Sequence, residues 1–148
     1  MKKKASPIVV KDIHLLQVEV TEQKMNVKAF KEKKEHKLNV GHKLLHDLEN
    51  EQIKLEFVFS FDNSDEEPLL FFQIDFHFRI AHLSNFYELK SESYPVFSSH
   101  LVTTLIGICF STARGIILEK LNNAGIKNTL LPIVSPQDML ADTESKRD

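Results

Sequence analysis

The strongest constraint on the fold is the alternating stretch LLFFQIDFHFRIAHL at positions 69–83. Every second residue from Leu70 to Ile80 is apolar, and half of these are phenylalanine. The residues between them, from Gln73 to Arg79, are polar. Successive side chains of a β-strand point to opposite faces of the sheet, so this pattern predicts a strand with one buried and one solvated face.

A second strand of the same kind precedes it, in the segment IKLEFVFSF at positions 53–61. The polar segment DNSDEEP, rich in turn-forming residues, joins the two. Alternating strands with a short polar connection predict an antiparallel hairpin. We expect the two apolar rows to share one face, which places two rows of aromatic side chains next to each other.

Two further strands are predicted before this hairpin. The first covers Ile8–Val20 and the second His36–Asp47, with a bend or bulge at Gly41. The charged residues between these strands read as a connection that includes a helical turn.

After Pro95 the apolar residues recur every three or four positions, which predicts a long helix. Ser98 or Ser99 is its expected N-cap and Gly125 its expected end. An extended arm and a short helix capped by Ser135 should follow. Strands first and helices last predict an α+β fold: a four-stranded antiparallel sheet with the long helix and the short C-terminal helix packed on one face.

Composition indicates a single domain over residues 1–148, with disordered tails at 1–7 and 142–148. A net charge of −2 gives no electrostatic reason to expect nucleic acid as a partner. The N-terminal residues lack the apolar run of a secretory signal, and no stretch has the uninterrupted apolar length of a membrane span. The single cysteine, Cys109, fits a reducing compartment, so we expect a cytoplasmic protein.

No motif in the sequence predicts catalysis, a cofactor or a metal. His42 and His46 are four residues apart, but they lie in a predicted strand and no further ligand completes a set. Cys109 falls on the apolar stripe of the long helix, where an inert buried thiol is the expectation. The serine in STARG lacks the flanking glycines of a nucleophile elbow. We therefore expect no enzymatic activity.

The last third of the chain resembles the end of the SecB export chaperone family. There, a long helix with an aromatic–x–x–Ala–Arg segment is followed by a small-residue turn, an L-x-P-hydrophobic arm and an acidic, apolar short helix. The matching residues are Phe110, Ala113, Arg114, Ala124, Gly125, Leu131, Pro132, Ile133, Val134, Asp138, Met139 and Leu140. The upstream order of strands agrees as well, although the tryptophan that family members often carry after the first strand is missing here.

This resemblance implies a cytoplasmic holding chaperone that needs no ATP and assembles as a homotetramer, a dimer of dimers. Its clients would be unfolded polypeptides, bound in apolar grooves between the sheet and the C-terminal arm and helix. The candidate groove residues are Phe59, Phe72, Phe76, Leu131, Ile133 and Met139. The candidate acidic surface for the export motor comprises Asp12, Glu19, Glu56 and Asp75, and the candidate subunit interface comprises Leu101, Leu105, Ile108 and Ile116.

Two alternatives remain open at this stage. A chaperone of the same fold could be dedicated to the antitoxin of a toxin–antitoxin system. From a different class, a helix lying on an aromatic sheet could enclose a cavity, which would make the protein a non-enzymatic carrier of an apolar small ligand. Oligomeric state and the type of ligand separate these readings, because only the chaperones need bind unfolded polypeptide.

Overall fold

The computed structural model of the chain describes residues 10–62, 67–92 and 94–127. Within these ranges the strands are β1 (Ile13–Met25), β2 (Leu38–Asp47), β3 (Gln52–Phe61), β4 (Leu70–Ile80), β5 (Tyr87–Ser91) and β6 (Tyr94–Phe97). The helices are α1 (Val27–Glu32) and α2 (Ser99–Asn123), and short 3-10 turns span Val10–Asp12 and Leu83–Phe86. The predicted α+β class, with a four-stranded antiparallel sheet and a long helix, is confirmed. The predicted tails, arm and short C-terminal helix lie outside the described residues.

The main sheet has the strand order β1-β4-β3-β2, and every neighbouring pair is antiparallel. Strands β2, β3 and β4 follow one another as hairpins, whereas β1 pairs with β4 at the far side of the sheet, which is a Greek-key order. The predicted hairpin of β3 and β4 is confirmed. Phe59 lies opposite Phe72 and Leu55 lies opposite Phe76, so the two aromatic rows are adjacent.

One face of this sheet, which we call the inner face, forms most of the core. The alternating apolar residues of the two central strands each expose no more than 2 % of their surface. These residues are Ile53, Leu55, Phe57, Phe59, Phe61, Leu70, Phe72, Ile74, Phe76, Phe78 and Ile80. Burial of this row provides the largest favourable contribution to folding, because free energy scales with the apolar area removed from water.

Helix α2 packs on the inner face and begins and ends as the sequence predicts. Ser98 is the N-cap, since its side chain accepts a hydrogen bond from the backbone N–H of Leu101 at 3.2 Å. At the other end Gly125 adopts a left-handed conformation with φ of 82°. The N–H of Ile126 donates to the carbonyl of Leu121 at 2.8 Å, which completes a Schellman motif.

Two predictions about the edge strands are wrong in detail. The first strand was predicted over Ile8–Val20, but β1 runs from Ile13 to Met25 and a 3-10 turn at Val10–Asp12 precedes it. Extra residues at Leu16 and Thr21 shift the register of β1 against β4 and interrupt the alternation from which its end was predicted. Gly41 causes no bulge, since β2 pairs with β3 in continuous register. Nothing lies within 4 Å of where a Cβ of Gly41 would be, so its position does not require glycine.

The hairpin of β5 and β6 was not predicted from the sequence. It precedes α2, and the N–H of Ser98 donates to the carbonyl of Phe86 at 2.7 Å, which joins the base of the hairpin to the start of the helix. The ring of Phe97 contacts those of Tyr87 and His46. These contacts place the hairpin beside the end of β2.

Asp62, directly after β3, binds the segment between α1 and β2. Its carboxylate accepts hydrogen bonds from the His36 ring at 2.6 Å and the Lys37 backbone at 2.8 Å, and the Lys33 ammonium lies 3.4 Å away. Burial by itself raises the pKa of this carboxyl, but the bonds from His36, the Lys37 N–H and Lys33 outweigh burial and lower it. The ring of His36 also stacks on Phe30, with ring centroids 3.6 Å apart.

Candidate functional site

The three phenylalanines predicted to line a client groove are part of the core. Phe59 exposes 2 % of its surface, and Phe72 and Phe76 expose none. Helix α2 covers them, with the ring of Phe110 lying 6.0 Å from that of Phe59. A client could reach these side chains only if α2 moved away from the sheet. The other predicted groove residues, Leu131, Ile133 and Met139, lie outside the described residues.

The four helix residues predicted for the subunit interface divide into two pairs. Leu101 and Leu105 expose none of their surface, because they point from α2 into the chain's own core. They therefore offer no surface to another subunit. Ile108 and Ile116 are half-buried on the flanks of the helix and pack only partly against the core.

The side of α2 that faces away from the sheet carries little charge. Gly107, Ser111 and Gly115 follow at intervals of four residues and so lie along one side of the helix. Apart from His100, the side chains of α2 that carry charge at neutral pH belong to Arg114, Glu119 and Lys120, all in its second half.

Helix α2 is also long and apolar enough to cross a membrane by length and composition alone, with a mean hydropathy of 1.8. This is weak evidence, since the core helix of a soluble protein passes the same test. Eight of its residues are buried in the core beside the sheet.

Three of the four acidic residues predicted for partner binding form one row across the outer face of the sheet, the face opposite α2. Glu19 of β1 pairs with Asp75 of β4, which pairs in turn with Glu56 of β3. Asp12 lies apart from them, in the 3-10 turn before β1. The sheet thus brings three carboxylates from three strands together.

Asp75 is the buried member of this acidic row, and Lys54 balances its charge. The Asp75 side chain exposes 6 % of its surface, and its Oδ2 lies 3.5 Å from the Lys54 Nζ. Lys54 also lies 3.2 Å from the Glu56 carboxylate. The hydrogen bond to Glu56 raises the pKa of Lys54, burial acts against this, and Asp75 adds to the increase. Lys54 therefore stays protonated at neutral pH.

Large apolar side chains are exposed at two places in the described structure. Leu15 and Leu16 lie near the start of β1 and expose 41 % and 54 % of their surface. Leu89 and Tyr94 lie in the β5–β6 hairpin and expose 54 % each. Sequence reasoning missed the hairpin pair, although the alternation of Tyr87 and Leu89 with Glu88 and Lys90 was a signal for a short strand.

The described residues contain no group of three His, Cys, Asp or Glu side chains that could hold a metal ion. Cys109 is fully buried in the core, and burial raises the pKa of its thiol. The thiolate is the reactive form of cysteine, so this residue is chemically inert in the folded state.

No protein-family model matches the chain, and no curated protein matches its sequence.

Proposed function

We propose that the chain is an ATP-independent holding chaperone of SecB type, which binds unfolded polypeptides and keeps them from aggregating. The order of elements supports this proposal, because the resemblance implies a four-stranded antiparallel sheet followed by a long helix. In the acidic row, Glu19 is exposed and Glu56 is half-buried, and these two carboxylates would form the docking surface for the export motor. An antitoxin-dedicated chaperone remains the alternative with the same fold.

The observation that carries the proposal is the pair of apolar side chains in the β5–β6 hairpin. Leu89 and Tyr94 are more than half exposed, although burying them would be favourable. Leucine and tyrosine provide large contact areas with few rotamers to immobilise, which suits binding of many different sequences. Burial of one apolar client side chain contributes about 1.5–3 kcal/mol before the cost of association. With Phe59, Phe72 and Phe76 in the core, the hairpin is the surface we assign to clients.

The outward side of α2 supports the proposed assembly as a tetramer. Small residues along one side of a helix allow another helix to approach closely, and Gly107, Ser111 and Gly115 provide such a side. Ile108 and Ile116 flank it and would gain burial in a second subunit. A charge at Ser111 should separate the subunits, so Ser111→Glu is expected to lower the mass measured by light scattering. Ser84→Glu, the same change at an exposed position of the 3-10 turn Leu83–Phe86, is the control and should leave the mass unchanged.

The direct test measures binding of one reduced, unfolded polypeptide and of its native form, with the complex sized by light scattering. The proposal predicts binding of the unfolded form alone, by an assembly of about 68 kDa from four chains of 17.1 kDa. Equal binding of both forms, or of neither, would contradict the chaperone function. Saturable binding of a small apolar dye by a monomer, without polypeptide binding, would instead favour the ligand carrier.

A further inference from the structure

The outer face of the main sheet contains an open concavity of about 420 Å³ next to the acidic row. All four strands contribute to its lining. The lining includes the exposed Leu16 of β1, which the extra residue in that strand places at one edge, and the half-buried Leu45 of β2. Helix α2 packs on the opposite face, against Phe59. The outer face therefore has room for a further segment of chain.

The charge of the outer face changes along the strands. The first two cross-strand rows from the end of the sheet contain the cations Arg79 and Lys54, with Asp47 as their carboxylate. The third is the acidic row, which ends in Lys43 at the edge of β2. Its excess of negative charge lies at Glu19 on β1, which is exposed and makes no ion pair with another described residue.

The chain enters the sheet at the end where this concavity lies. The N–H of Ala81 donates to the carbonyl of Asp12 at 2.9 Å, so the segment before β1 arrives just beyond the row of Arg79. Residues 1–9, with the sequence MKKKASPIV, precede the described chain. They contain Lys2–Lys4 and no acidic residue, and the uncharged stretch Ala5–Val9 separates these lysines from the sheet.

The length of this segment matches the distance to the acidic row. From Ala81 to Asp75 the strand rises by about 20 Å. From Val10 back to Lys4 an extended chain covers about the same distance. Pro7 favours such an extended chain, because the proline ring fixes its own φ and disfavours the helical region for the residue before it. A segment that turns back over the outer face thus places its uncharged residues at the two rows with cations and its lysines at the acidic row.

We propose that residues 2–9 of this chain bind along the outer face of its own sheet, with Lys2–Lys4 at the carboxylates of Glu19 and Glu56. Ile8 and Val9 lie over the concavity and cover Leu16. The contact needs neither client nor partner, so it does not depend on the proposed chaperone function. It would also cover the two carboxylates assigned to the export motor, which makes it an autoinhibitory contact.

The test is zero-length carbodiimide cross-linking of the full chain, which joins a lysine to a carboxylate only where the two are in contact. A denaturing gel separates chains with an internal bond from cross-linked dimers, and mass spectrometry of the monomer band identifies the bonds. We expect bonds from Lys2–Lys4 to Glu19 or Glu56. Glu49 is the internal reference, because it is exposed in the turn between β2 and β3, at the end of the sheet where the chain enters. Bonds to the acidic row should exceed those to Glu49 by about fivefold, since several weak exposed ion pairs act together.

A charge reversal in the acidic row sharpens this test. In Glu19→Lys the bonds from Lys2–Lys4 to Glu56 should fall by about fivefold, because repulsion replaces attraction at the same place. Glu49→Lys is the matched control, since it makes the same change at another exposed position, and the bonds to Glu56 should persist. Raised salt should lower the yield of bonds to the acidic row in the wild-type chain, because salt screens exposed charges.

Three results would overturn the proposal. Equal yields at Glu19 and Glu49 would mean that the lysines react with any carboxylate within reach. An equal loss in Glu19→Lys and Glu49→Lys would remove the role of the acidic row. Bonds from Lys2–Lys4 to the acidic row that occur only in the dimer band would assign the face to a second copy of the chain. Client is absent from these measurements, so failure of this contact and failure of the chaperone function give separate results.

Discussion

The two faces of the β3–β4 pair are built from alternating residues of the same two strands, yet they have different physical roles. The inner face is uniformly apolar and closed by α2, with Phe72 and Phe76 fully buried. The outer face carries Glu56, Asp75, His77 and Arg79, of which only Asp75 is buried. Substitutions on the inner face should therefore change stability. Substitutions on the outer face can change the binding of partners without unfolding the chain.

The largest effect is expected on the inner face. Phe72→Ala should lower the free energy of unfolding by about 3–5 kcal/mol, because it removes a buried aromatic ring and leaves a cavity under α2. Urea denaturation measures this, with Arg79→Ala on the outer face of the same strand as control, expected within about 0.5 kcal/mol of wild type. A cost below about 1 kcal/mol for Phe72→Ala would indicate an open groove at this position, and the distinction between the faces would fail.

A smaller effect is expected at the end of β3, where Asp62 holds the segment between α1 and β2. Asp62→Ala should lower the free energy of unfolding by about 2–3 kcal/mol. It removes three hydrogen bonds to a buried carboxylate, two of them from ionisable side chains. Asp62→Asn should cost less, since asparagine retains hydrogen bonding and tolerates the positive φ of 58° at this position. An equal cost for both variants would contradict the role given to the side chain.

The same residue predicts a pH dependence. The pKa of Asp62 is lower in the folded chain than in the unfolded chain, so its contribution to stability is present at neutral pH. That contribution is lost as the pH falls below the ordinary aspartate value of about 3.9. Urea denaturation between neutral and strongly acidic pH should show that the free energy of unfolding of wild type approaches that of Asp62→Asn in this acidic range. A difference in free energy of unfolding that stayed constant down to the lowest pH would exclude the lowered pKa.

On the outer face the largest stability effect should come from Asp75, its buried carboxylate. Asp75→Ala should lower the free energy of unfolding by about 1–2 kcal/mol, because Gln73 loses a hydrogen-bond acceptor and Lys54 loses one of its two carboxylate partners. Glu19→Gln, an exposed member of the same row, should change stability by less than about 0.5 kcal/mol. Thermal denaturation of the two variants compares them, and equal costs would show that burial does not distinguish Asp75.

Much of the fold could be predicted because it is encoded locally. The period-two rows of β3 and β4 and the caps at Ser98 and Gly125 are properties of neighbouring residues, and each was found where the sequence placed it. The bounds of β1 were not predicted correctly, because the register shifts at Leu16 and Thr21 arise from its pairing with β4, which is distant in sequence.

The candidate site was less predictable, because it depends on which surfaces remain uncovered after folding. Alternation placed Phe59 and Phe76 on an apolar face, but it carries no information on whether a helix covers that face. Glu19 and Asp75 become neighbours only through the crossover of β1 to β4. The β5–β6 hairpin forms a separate two-stranded sheet, and the exposure of Leu89 and Tyr94 depends on what packs against that sheet in the folded chain.

The most direct test of the account is client binding by the double variant Leu89→Asp/Tyr94→Asp, measured with one reduced, unfolded polypeptide. Asn85→Asp/Ser91→Asp is the matched control, since it adds the same charge to exposed polar positions of the same region. We predict that both variants keep the stability of wild type within about 0.5 kcal/mol. Only the first should lose client affinity, by about tenfold or more, because it removes two apolar contacts. Wild-type affinity in the Leu89→Asp/Tyr94→Asp variant would contradict the assignment of clients to the hairpin.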